Sequence, residues 1–158
     1  MDESVVFRLE PADAANLRRL WDDLRHAKAT GTLVPEDLRW LQYFPLSALR
    51  RFRWTPAAHF SSIAPEWVQW LLSWAESARW YDQELVGYSD EDTGIAAKWD
   101  FLSMLEAVVN GDYALMPLET TEDGRFGMRV QPYGWPFGGV GCLSAMADAL
   151  GGTEVEIR

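Results

Sequence analysis

The stretch that most constrains the fold is the last third of the chain, Gly111 to Arg158. Tyr113 to Leu118 reads as a strand that Pro117 places at a sheet edge or ends early, because proline cannot donate to a ladder. Asp123-Gly124 is a strong turn signal. Beyond it, Phe126, Met128 and Val130 alternate with Arg125, Gly127, Arg129 and Gln131, the period-2 pattern of a half-buried strand. A glycine-aromatic loop follows, Tyr133-Gly134-Trp135-Pro136-Phe137-Gly138-Gly139. Leu143, Met146, Ala147 and Leu150 then space as one helix face, and Gly151-Gly152 ends it. Val155 and Ile157 alternate with Glu154, Glu156 and Arg158 in a last strand. A hairpin, a loop, a helix and a returning strand cannot be accommodated in an all-helical fold.

The N-terminus supplies a matching strand. Val5, Phe7 and Leu9 alternate with Val6 and Arg8. Pro11 then suits the first turn of a helix. Leu17, Leu20, Trp21 and Leu24 fall at i, i+3, i+4 and i+7 on one apolar face, and Gly31 ends the element. Pro35-Glu36-Asp37 opens a short second helix that Pro45 stops, and residues 46–53 add a helical turn or two. The strongest helix is expected from Pro65, with Trp67, Trp70, Trp74, Ala78 and Tyr81 in one stripe; Trp70 and Trp74 are expected in the core. Glu84 to Tyr88 reads as a short strand or extended loop. Asp90 to Gly94 is a polar break able to cap a further helix carrying Ile95, Trp99, Leu102 and Val109. Asn110-Gly111 is a helix stop. The pattern predicts one α+β domain over 1–158. A small sheet from the N- and C-terminal strands carries about four to five central helices on one face.

With 158 residues and 48% hydrophobic composition, the chain can bury one sizeable core. Nine tryptophans are hard to bury completely in a domain of this size. The net charge of −10 disfavours binding to a phosphate backbone and steers the protein toward basic partners. Leu38–Pro65 mixes Arg39, Arg50, Arg51 and Arg53 with aromatic rings and no acid, but the surrounding field is negative, so nucleic acid is not the expected partner. Lone Cys142 rules out an intramolecular disulfide and a cysteine zinc site, and fits a reducing, cytoplasmic setting. No apolar run approaches the length of a membrane span, and the first residues lack the pattern of a secretory leader.

The catalytic inventory is thin. Gly139-Val140-Gly141-Cys142-Leu143-Ser144 approaches a dinucleotide fingerprint without its third glycine, and no phosphate-binding lysine motif is present. Cys142 sits near a helix start, where a thiol can be activated, but only His26 and His59 are available as bases. No catalytic residue, metal site or cofactor is assigned. Tyr133, Trp135, Phe137 and Cys142 are candidates for a ligand pocket; the competing expectation is that the loop aromatics plug the core. The acids Asp82, Glu84, Asp90, Glu91 and Asp92 form a run that lacks calcium-loop spacing and suits a surface for a basic protein. The leading expectation is a non-catalytic binding protein for a basic protein partner, with an inhibitor of a toxin or nuclease, of the immunity-protein type, as one concrete form. A small enzyme or ligand-binding module using loop 133–141 ranks second.

Overall fold

The computed structural model describes residues 2–35, 37–49, 51–52, 66 and 99–158. The expected helix from Pro65 with Trp67, Trp70 and Trp74, the segment Glu84–Tyr88 and the acids Asp82, Glu84, Asp90, Glu91 and Asp92 lie outside the described residues.

The fold is α+β, as the pattern predicts. Strand β1 (Glu3–Arg8) leads into helix α1 (Pro11–Thr30). Pro11 opens α1 at a position that needs no amide donor. Leu17, Leu20, Trp21, Leu24 and Ala27 form its buried stripe. Gly31 closes it with φ of 64°, a left-handed conformation that glycine adopts without a Cβ penalty. A 3₁₀ helix follows (Leu38–Tyr43), then the short α2 (Leu46–Leu49). The Asp37 carboxylate accepts the Arg39 amide and caps the 3₁₀ helix.

Helix α3 (Phe101–Asn110) differs from the sequence expectation at its start. Ile95, Trp99 and Leu102 share helical spacing, which suggests a helix running through Trp99. Instead Asp100 is extended, with φ of −71° and ψ of 137°, and its carboxylate accepts the Ser103 amide at 3.0 Å. An N-cap aspartate wins over apolar periodicity here, because it satisfies an amide that has no partner within the helix. The stop at Gly111 also works differently from a left-handed cap. Gly111 has φ of −61°; a Cβ there would lie 2.4 Å from the Tyr113 ring. Glycine is required for close approach, not for its backbone freedom.

Strands β2 (Tyr113–Leu115), β3 (Glu119–Thr120) and β4 (Phe126–Pro132) form the expected hairpin. Pro117 does interrupt its first arm: β2 and β3 both pair with β4, on either side of it. Gly124 makes the turn with φ of 79°. Helix α4 (Gly141–Ala149) returns the chain to β5 (Thr153–Ile157). The sheet order is β2-β4-β1-β5, and the pairings are antiparallel. Both terminal strands and the hairpin thus share one sheet. Val5 sits opposite Met128, and Phe7 opposite Phe126, so these side chains face the same core as the helices.

The two faces of the sheet have different chemistry. The core face joins Val5, Phe7, Phe126, Met128 and Val130 to α1, α3 and α4. Helix α4 is buried more completely than a single-face helix, from Cys142 through Ala147. The other face carries ion pairs. Arg125 contacts Asp123 at 2.8 Å and Glu156 at 3.2 Å; Arg8 contacts Glu154 at 2.5 Å; Arg129 contacts Glu119 at 3.2 Å. Among the described residues, no helix is long and apolar enough to cross a membrane.

Candidate binding site

Helix α3 buries Phe101, Met104, Leu105 and Val108 against the core. Ser103, Glu106, Ala107 and Asn110 recur at i, i+3, i+4 and i+7 on another stripe. That stripe forms a wall of a cavity of about 460 Å³. Gly111 and Tyr113 continue the wall, and Trp99, Gly138, Gly139, Gly141 and Cys142 also line it. The volume lies within the range of small-molecule sites, roughly 300–1,000 Å³.

The wall is held by a set of satisfied polar groups. The Tyr113 hydroxyl donates to the Ala107 carbonyl at 3.0 Å and lies 3.5 Å from Cys142 Sγ. Lys28 reaches from α1 to donate to the Val109 and Gly111 carbonyls at 2.5 and 2.8 Å, satisfying acceptors at the end of α3. Its Nζ also stands 5.1 Å above the Tyr113 ring. Burial lowers the Lys28 pKa, with Asp112 acting in the opposite sense.

The loop aromatics divide into two kinds. Phe137 is buried, only 6% exposed, and meets Tyr113 edge-on at 6.1 Å. Trp135 meets Phe137 edge-on at 4.7 Å but remains 61% exposed, and Tyr133 is 70% exposed. The expectation that all three plug the core therefore holds for Phe137 alone. Phe137 packs the loop onto Tyr113, Trp135 stands on Phe137, and the mostly exposed Tyr133 ring lies 5.9 Å from Lys28 Nζ. Of the candidate pocket residues, Cys142 lines the cavity, while Tyr133 and Trp135 lie on the outside of the loop that forms part of its wall.

Burial pushes the Cys142 thiol above its ordinary pKa of 9.0, so it remains protonated at neutral pH. Burial likewise raises Tyr113. His26 is exposed on α1 and is not part of the cavity wall, and His59 lies outside the described residues. Among the described residues of the wall, this neutral thiol lies beside a neutral phenol with no histidine to activate it. Among the described residues, no cluster of His, Cys, Asp or Glu could hold a metal ion.

Apolar spacing marks only the core face of α3 and does not reveal this stripe. Ser103, Glu106 and Asn110 were the visible signal: three polar residues one turn apart on the side away from the core. No protein-family model matches the chain, and neither a curated protein nor a solved structure matches it. Its function is therefore read from the site's own chemistry.

Proposed function

We propose that this is a non-catalytic binding protein that engages a basic protein partner. The observation that carries the reading is the pair of exposed rings, Tyr133 and Trp135, mounted on a loop that buried Phe137 holds in place. Tyr and Trp are enriched among residues that dominate interface energies, and a braced ring loses little freedom on binding. The net charge of −10 sets the sign of the partner. Near the loop, Asp112 is exposed and its carbonyl accepts the Tyr133 amide, while Glu106 stands on the cavity wall. The acidic run Asp82, Glu84, Asp90, Glu91 and Asp92 belongs to the same net negative charge. Inhibition of a basic toxin or nuclease is one form this activity would take.

The sheet face moderates the charge argument. Asp123, Glu154 and Glu156 are paired with arginines there, so they contribute little net field. The steering acids are instead those without such pairing, and they include Glu106 at the site. A small-ligand module is the second reading, favoured by the cavity itself. Capture from the native host's lysate at low and high salt, read by mass spectrometry, separates the two. The proposal expects a basic protein that is retained at low salt and released at high salt, as screening shortens the field to about 8 Å near physiological ionic strength. Recovery of no basic protein, or salt-independent recovery, would overturn it.

A further inference from the structure

The cavity beside the aromatic loop has the composition of a receptor for one cation. Among the described residues that line it, Glu106 is the one acid and none is lysine, arginine or histidine. Cys142 and Tyr113 are neutral, so among the described lining residues nothing ionised opposes the Glu106 charge. Lys28 binds the Val109 and Gly111 carbonyls and is not part of the wall. Ser103 and Asn110 stand one turn to either side of Glu106 and offer further acceptor oxygens. Trp99 supplies an aromatic surface: its Cζ2 lies 3.6 Å from where a Cβ on residue 141 would stand, so the indole lies against the start of α4. The amides of Gly141 and Cys142 there are donors and suit a partner's main-chain carbonyl, not its cation.

We infer that this cavity receives an arginine side chain of the partner, its guanidinium paired with Glu106 and flanked by Ser103, Asn110 and Trp99. The inference rests on the reading of a basic partner. Arginine fits better than lysine for two reasons. Its planar fork presents five donors, enough for a carboxylate and the two flanking oxygens together. Its flat, weakly hydrated cation also stacks on an indole. The polar α3 stripe and the exposed Trp135 would then belong to one interface, a pocket for the anchor side chain with an exposed ring on the loop that forms part of its wall.

Amide NMR titration of the whole chain tests this with three capped amino acids. The probes are Nα-acetyl-arginine amide, its uncharged isostere Nα-acetyl-citrulline amide, and Nα-acetyl-glutamate amide. The arginine probe should shift the amides of Ser103, Glu106, Asn110, Gly138 and Gly139 in a saturable way. The citrulline probe should bind about tenfold more weakly or less, as should the arginine probe to Glu106→Gln, the loss expected for one charge-assisted hydrogen bond. Glu106 is exposed, so the variant should fold, and its spectrum reports that directly. Equal binding of citrulline, preference for glutamate, or no saturable shift with any probe would overturn the inference. If the salt-sensitive basic partner is still captured while the cavity is silent, only the arginine pocket falls. If both fail, the reading of a basic partner falls with it.

Discussion

Tyr113 ties together more of the site than any other side chain. Its hydroxyl bridges Ala107 and Cys142, its ring fills the space over Gly111, and Phe137 stands edge-on against it. Gly111→Ala would push a methyl into that ring, and the ring cannot swing away without breaking the Ala107 bond. Chemical denaturation should show a loss of about 1–3 kcal/mol, the usual cost of overpacking a filled core. The same cluster makes the protein sensitive to alkali. Cys142 and Tyr113 have raised pKa values from burial, and Tyr43 is pushed up to about 12, first by burial and then by its hydrogen bond to Asp23. Each of these acids stays protonated in the folded chain at pH values where it ionises in the unfolded one. Their contributions are complete below the ordinary values of 9.0 and 10.0 and are lost progressively as pH rises from there through the raised folded values, about 12 for Tyr43. Lys28 acts with the opposite sign, since its lowered pKa favours the folded chain as pH climbs toward 10.5. Three groups oppose one, so unfolding midpoints measured across this range should fall. In Cys142→Ala the fall should begin only in the tyrosine range.

At the scale of elements, α3 and the aromatic loop show what could and could not be read in advance. The hairpin was legible because alternation and Asp123-Gly124 are local signals that the sheet does not override. The 3₁₀ helix and α2 fell between Pro35 and Pro45 and just beyond it, where proline punctuation placed them. The start of α3 was not legible, because Trp99 keeps helical spacing while Asp100 leaves the helix to cap it. Asp100→Ala should therefore cost about 0.5–2 kcal/mol in a denaturant titration, the range for losing an N-cap. Cavity-wall amides at Ser103 should shift in the variant's spectrum, because Ser103 also donates its hydroxyl to Asp100. The division of the loop rings was hidden for a different reason. Tyr133, Trp135 and Phe137 are all aromatic, and only the position of Tyr113 decides which of them has a buried neighbour. The cavity was hidden too, since its walls come from α3, α4 and the loop and no local pattern joins them. Phe137→Ala should cost about 3–5 kcal/mol, as a truncated core aromatic does.

For the whole molecule, stability resides in the buried core and recognition in the rings that stand exposed on it. The outer face of the sheet carries ion pairs that link both ends of the chain, with Arg125 between Asp123 and Glu156. Hydrogen bonds from Thr121 and from Arg158, respectively, lead the groups that hold the Asp123 and Glu156 carboxyls below their ordinary range. These contributions are present above the ordinary carboxylate range and are lost as pH falls through the lowered values. Thermal unfolding followed from neutral to acid pH should show that loss, and Glu156→Gln should blunt it. The helices carry the cavity, whose wall includes the buried Tyr113 and Cys142, and the exposed Trp135 ring stands on buried Phe137. That separation is the central claim, and Trp135→Ala tests it most directly when stability and partner capture are measured on the same preparation. The account predicts a change in unfolding free energy within about 0.5–1 kcal/mol, as for an exposed side chain, together with loss of the basic partner. A loss of about 3–5 kcal/mol with the partner still captured would show that Trp135 holds the core together and that the recognition surface lies elsewhere.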